Sequence, residues 1–387
     1  MIKNLTAYTA NVVFALTFFL SSPLATAAEP KQLPVGSCSA GQDSVFEADT
    51  QWLKLQPGQA LGDVTAVVVG KANHLWVLHR PASVEGVDPS WALPPVVEFD
   101  DKGFFVQAFG GPSNQYEWPE REHSLAVADN GNLWISGSAY LDLEPGHGDD
   151  MLIVLDNEGG FVQQIGQRGA SQGNLDRENL DAPADIYVDD TAEEVYIADG
   201  YGNQRLVVLN EANGSFLRMW GAFGSDNFPQ SAAELENMPD SDLGEGPASF
   251  NGVHGVEVAN DGKVYVSDRG NQRIQVFTSQ GEYLAQTFVN PDYPSPLTAA
   301  GITFSNDEAQ QYMFITDWGN NTLEVFDRLT LEHIGRIGQA GTKPGEFLGP
   351  HLIDTDSNGV IYISEVQGAR MQRLIPCQTE NGSVILW

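Results

Sequence analysis

"HGVEVANDGKVYVSDRGNQRIQVFTSQGEYLAQTF", residues 254–288, contains four short apolar runs separated by turn residues. The first two runs flank Asn260-Asp261-Gly262, a hairpin signal, and each run has the length and alternation of a strand rather than the 3.6-residue period of a helix. The unit recurs along the chain. Copies read "DVTAVVVGKANHLWVLHR" from Asp63, "HSLAVADNGNLWISG" from His123, "ADIYVDDTAEEVYIADGYGNQRLVVLN" from Ala184, "AGITFSNDEAQQYMFITDWGNNTLEVF" from Ala300 and "HLIDTDSNGVIYISEVQGARMQRL" from His351. Six units of about 50 residues each match four-stranded blades lengthened by inserted loops at 81–95, 138–150 and 222–248. A lone blade cannot bury its two faces, so the units must stack on one another, and the expected fold is all-β, a six-bladed β-propeller.

Around this repeat the chain divides into an expected signal peptide at 1–28, an N-terminal segment at 29–60, the propeller at 61–377 and a tail at 378–387. The leader carries Lys3, an apolar run over 12–20 and the small residues Ala25, Ala27 and Ala28, the pattern of a cleaved secretory signal. That run is too short to span a bilayer, so the mature protein is expected to be soluble, with no membrane attachment after cleavage, and secreted or periplasmic. In that oxidising setting the two cysteines, Cys38 and Cys377, are expected to form a disulfide, with two separate buried thiols as the alternative. The charge balance is lopsided: 52 Asp plus Glu against 19 Lys plus Arg give a formal net charge of −33. Such a chain repels phosphate backbones and anionic lipid, which excludes nucleic acid as a partner.

Histidine is scarce, with 7 in the chain, and its placement carries the functional signal. His123, His254 and His351 open the second, fourth and sixth units, where the other units have Val64 or a neighbour, Ala184 and Ala300. First strands line the channel of a propeller, so alternate blades would bring three imidazoles together on the axis. Neutral imidazole nitrogen suits zinc, and three protein ligands leave a position open for substrate. The competing reading is a structural histidine bonded to neighbouring backbone, although a need of the repeat itself should recur in every blade. His74, His79, His147 and His333 fall outside this register and read as surface or packing residues. At the ends of the second strands stand Arg80, Tyr201, Arg269 and Trp318. Two guanidinium groups and a phenol beside a metal would bind a small carboxylate. The recurring Asp199, Asp268 and Asp317 read as turn caps, and Arg205 and Arg273 as structural pairs.

With these motifs in hand, the chain from about Gly62 to Leu374 resembles the NHL-type six-bladed propellers, and specifically the peptidyl-α-hydroxyglycine α-amidating lyases. The likeness rests on "VLHRP", "EHSLAVADNGNLW", "VYIADGYGNQR", "GVHGVEVANDGKVYVSDRGNQRIQVF" and "GPHLIDTDSNGVIYI". It implies that His123, His254 and His351 hold a catalytic zinc, that Tyr201 is the catalytic tyrosine, and that Arg80 and Arg269 are the active-site arginines. It also implies a structural calcium, held in the family by an Asp that follows the third histidine; here Leu352 takes that place, leaving Asp354 or Asp356 to compensate. Gly349 stands where the family has a Met near the substrate, and the family's disulfides within blades are missing.

The implied reaction is breakdown of a carbinolamide at its N–C bond to an amide and an aldehyde. Zinc would bind the hydroxyl or carboxylate oxygen, Tyr201 would serve as general base, and Arg269 would orient the substrate carboxylate or the developing oxyanion. For a substrate, small or peptidic, with an α-hydroxyglycine-like end, the products are the amide and glyoxylate, and a separate hydroxylating enzyme is implied upstream. Two other functions fit a propeller of this kind: a lactonase-like metal hydrolase, whose calcium would be caged by Glu, Asn and Asp, and a non-catalytic binding module.

Overall fold

A computed structural model of the chain describes residues 30–39, 43–139, 147–293 and 297–378. The expected signal peptide and residues 379–387 of the tail lie outside the described residues.

Strands and turns fall where the repeat places them. In the fourth blade, Val253–Val258, Lys263–Asp268, Arg273–Thr278 and Tyr283–Phe288 pair antiparallel in chain order. Six such sheets are present, and their first strands follow one another around an axis: Asp63–Val69, Glu122–Val127, Asp185–Asp189, Val253–Val258, Ile302–Phe304 and Pro350–Thr355, the last returning to the first. The fold is therefore an all-β six-bladed propeller of four-stranded antiparallel blades.

The hydrophobic core is divided among the seams. Tyr196, Leu206 and Trp220 of the third blade pack with Val256, Val266 and Phe277 of the fourth, and Val64 and Val97 of the first with Tyr362 and Met371 of the sixth. Every blade shares both faces with its neighbours, so none is a folding unit alone.

The sixth unit supplies only three strands of its own, and the segment at 29–60 completes it. Phe46–Asp49 pairs antiparallel with Arg370–Pro376 as the outermost strand, and Gln32–Leu33 adds in parallel to His333–Ile337 of the fifth blade. Phe46, fully buried, anchors this closure against Phe314 and Leu374, a burial that contributes about 2–3 kcal/mol. Next to it Cys38 and Cys377 form a disulfide across 339 residues of chain, a cross-link of the kind found outside reducing compartments. So long a loop puts the loss of denatured-state entropy at roughly 5 kcal/mol before any strain is subtracted.

Candidate functional site

The three histidines sit at or next to the start of their first strands and are almost wholly buried, with 1%, 1% and 4% of the surface of His123, His254 and His351 exposed. One ligand nitrogen from each lies within 4.8 Å of the others, and the ring centroids are 4.7 to 5.2 Å apart. Among the described residues this is the group of His, Cys, Asp and Glu side chains whose geometry could hold a metal ion.

Backbone of the following blade sets each ring. His123 Nδ1 donates to the Ala184 carbonyl at 2.7 Å and His351 Nδ1 to the Thr65 carbonyl at 2.6 Å, which leaves Nε2 of each unprotonated and turned to other use. His254 occupies the same relation to Ala300, but neither of its buried ring nitrogens has a hydrogen-bond partner. Gly255 permits that close approach, since a Cβ there would lie 2.4 Å from the Ala300 oxygen. Burial holds all three imidazoles neutral: His351 is pushed down to about 3, and His123 and His254 well below the ordinary value, with nearby arginines adding to the effect in all three and neighbouring histidines in His123 and His254. Three neutral, converging imidazoles, one of them unsatisfied, are a donor set that fits a metal ion, since an unpaired buried nitrogen is costly unless a ligand occupies it.

Tyr201 arrives from the turn after the second strand of the third blade. Gly200 lets that turn press on the fourth blade, a Cβ at this position falling 2.0 Å from the Val253 oxygen. The phenol is 2.9 Å from His123 Nε2, to which it donates, and the Arg269 guanidinium stands 5.3 Å from its ring centre. Both turns are anchored in the same way. Asp199 accepts from Asn203 and from Arg205 Nε, and Asp268 from Asn271 and from Arg273 Nε, with both ion pairs at 2.8 Å and fully buried. The expected structural pairs are thus the mounts of Tyr201 and Arg269. Arg80, mostly buried, donates from Nε to the Glu122 carbonyl at 3.1 Å, one residue before His123.

The second-strand ring places Trp318 at the fifth blade, where its indole nitrogen would be 2.8 Å from a Cβ on Gly349. Indole thus lies against the glycine. Asp354 and Asp356 do not join the triad: Asp354 accepts from the Val69 and Thr355 amides, Asp356 from the Asn358 and Val360 amides, and Leu352 packs in the core. His79 is buried, accepting from the Gly62 amide and donating to the Pro94 carbonyl, while His74, His147 and His333 face Glu98, Glu120 and Glu324.

One residue near the site was missed by the repeat reading. Arg121 precedes the first strand of the second blade, its carbonyl accepting from the Ser138 amide just after that blade's second strand. Its charge is felt by Arg80 and by His351. Among the described residues, Arg121, Arg177 and Arg269 are the arginines with no carboxylate within 4.0 Å. Of those three, Arg269 stands against the Tyr201 ring and Arg121 is near enough for Arg80 and His351 to feel its charge.

Comparison with known proteins agrees with the fold. Residues 250–277 match the NHL repeat. Human "NHL repeat-containing protein 3" is 27% identical over 86% of this chain and 84% of its own length. "Peptidyl-glycine alpha-amidating monooxygenase B" of Xenopus laevis is 23% identical, over 89% of this chain and 37% of that protein. A Caenorhabditis elegans protein named "Probable peptidyl-alpha-hydroxyglycine alpha-amidating lyase pgal-1" is 22% identical over 86% of this chain and 88% of its own. Among solved structures, a streptogramin B lyase superposes with a TM-score of 0.51 at 16% identity, covering 86% of this chain and 98% of that one, a likeness of fold alone. The chain is a six-bladed propeller with an NHL repeat at 250–277, distantly similar to proteins named for NHL repeats and for peptide amidation.

Proposed function

We propose that this protein is a zinc-dependent carbinolamide lyase, secreted or periplasmic, that converts a peptidyl-α-hydroxyglycine or a similar small molecule to an amide and glyoxylate. The observation that carries the reading is the convergence of three neutral buried imidazoles on one another, with the phenol of Tyr201 hydrogen-bonded to one of them, His123. Nitrogen-only ligation favours zinc over the calcium of a carboxylate cage.

When bound by His123, His254 and His351, zinc would supply Lewis acidity toward the substrate hydroxyl. The lone pair of His123 Nε2 that now accepts from Tyr201 is then engaged, which frees the phenol oxygen toward the substrate. Arg80 and Arg269 neutralise the substrate carboxylate and hold the carbinol carbon in place. Tyr201, acting as the phenolate, takes the hydroxyl proton, the O–H electrons form the aldehyde C=O, the C–N bond breaks with its electron pair on nitrogen, and Tyr201 passes the same proton to that nitrogen, which restores the phenolate. The Arg269 guanidinium over the Tyr201 ring favours negative charge on the phenol during that transfer. The hydroxylated substrate comes from a separate hydroxylating enzyme.

Metal analysis and a glyoxylate assay test this together. About one zinc per chain is expected, lost in His254→Ala, and N-benzoyl-α-hydroxyglycine should release glyoxylate at a rate that Tyr201→Phe lowers by about 10²–10⁴-fold. Calcium alone would point to a hydrolase, no metal to a binding module, and a metal-loaded protein that releases no glyoxylate would sink the lyase reading.

A further inference from the structure

Beyond the histidines the first strands enclose a second space. A cavity of about 270 Å³ runs along the axis to Val69, Val127 and Val188, partly exposed residues near the far ends of their strands, and so reaches the face of the propeller opposite the triad. Its walls are largely aliphatic, and three carboxyl groups interrupt them: Asp185 of the third blade, Glu257 of the fourth and Asp354 of the sixth. Among the described residues no Lys, Arg or His lines it.

Two of these carboxyls already have partners. Asp185 accepts from the Ser124 hydroxyl at 2.8 Å and the Val256 amide at 3.2 Å, and Asp354 from the Val69 and Thr355 amides, both at 2.7 Å. Glu257 does not. Enclosed by the strands, it has no hydrogen bond or ion pair among the described residues, and the charges that reach it are the like charges of Asp354 and Asp185. A carboxyl left unpaired inside a protein is costly, and a positively charged donor is the ligand that relieves it.

Further observations limit what that donor is. The axial carboxyls do not form a group with oxygens close enough to share a metal ion, whereas the histidines do offer such a group. Leu352, which takes the place of the calcium-binding Asp that the family resemblance implies, adds another aliphatic surface to the cavity. A cation of molecular size, with an alkyl part, therefore fits better than a bare ion. Outside the mouth, the turns between first and second strands carry Asp129, Asp190, Asp261, Asp307 and Asp356 in the second to sixth blades, against Lys71 in the first. Such a field draws cations to this face.

We propose that the axial cavity is a binding site for a small aliphatic amine in its ammonium form, entering from the face opposite the histidines, with its N–H donors shared between Glu257 and Asp354 and its alkyl chain against the valines. The site stands apart from the lyase reading, since neither the histidines nor Tyr201 takes part in it.

Calorimetry with n-butylammonium chloride at about pH 8, in buffer free of other amines, tests the assignment, with n-butanol as the neutral isostere and calcium chloride as the metal. The ammonium should bind at about one per chain and raise the melting temperature, n-butanol should bind about tenfold more weakly or less, and Glu257→Gln, checked for folding by circular dichroism, should weaken the ammonium about tenfold or more. Val127→Phe, which narrows the mouth and keeps every carboxyl, should weaken it as well, and decides the matter if Glu257→Gln fails to fold. His254→Ala should leave the affinity unchanged; binding lost there and kept in Glu257→Gln would put the amine on a histidine-bound metal and overturn the assignment. No binding by the wild type, equal affinities for n-butanol and the ammonium, or displacement of the ammonium by calcium would overturn it too.

Discussion

Arg121 shows how a single residue can be hidden in sequence and plain in space. It sits in "PEREH", a charged stretch with the look of a solvated turn, and no repeat position predicts it. The chain carries 52 acidic residues, yet among the described ones none pairs with this guanidinium. An unpaired cation beside three neutral imidazoles is a ready partner for substrate carboxylate, exposed enough for the attraction to be screened by salt. Arg121→Gln should therefore raise KM for a carboxylate substrate several-fold, with little change in kcat, and should flatten the dependence of KM on ionic strength. An unchanged KM at low salt would remove Arg121 from the site. The histidines were legible for the opposite reason. Their alternation among six units is a pattern over the whole chain, and the structure brings those three together.

At the scale of the element, the turn "DGYGNQR" combines a functional side chain with its own mount. Asp199, Asn203 and Arg205 form a buried network whose removal exposes its members to unequal loss, because a buried carboxylate left without its cation costs about 3–5 kcal/mol. Arg205→Ala should lower the unfolding free energy by that amount in a denaturant titration. It should also reduce kcat more than Arg205→Lys does, since Arg205 ties the Tyr201 turn to the wall at 174–179. Equal loss of activity in the two variants would argue that the position matters for stability alone. Sequence reading identified these pairs as structural but could not assign their cargo, because turn chemistry reads the same whatever side chain the turn presents. It also missed the closing strand. "FEAD" at 46–49 alternates over only four residues, too few to stand out, and its partner lies more than 300 residues away, so the evidence for it is tertiary.

The molecule as a whole keeps a second set of charges on its axis. Asp185, Glu257 and Asp354, from the third, fourth and sixth blades, line a cavity of about 270 Å³ along the first strands beyond the histidines. Burial pushes Asp185 up to about 7 and Asp354 up to about 6, and lifts Glu257 well above the carboxylate range, with the neighbouring carboxylates adding to its rise. A carboxyl raised in the folded state stabilises it below the unfolded value and loses that contribution as pH rises through the folded one. Glu257→Gln should therefore change the melting temperature little near pH 4 and raise it relative to the wild type by pH 8, worth at least about 1 kcal/mol. A difference independent of pH would mean that Glu257 ionises freely in the folded protein. The propeller and its six blades were readable because periodicity repeats the same evidence six times. The axial carboxylates were not, since each alternates with apolar residues as any strand-borne acid does.

Closure of the ring also dictates the order in which the protein can be made. Phe46 and Cys38 leave the ribosome well before their partners Leu374 and Cys377, the two cysteines being 339 residues apart. Until the last strand emerges, the growing chain presents an open seam with an unpaired sheet edge and an unoxidised thiol waiting for its mate, the conditions under which strands find wrong neighbours. Oxidation of the cysteine pair can therefore follow only once the strands of all six blades have been made.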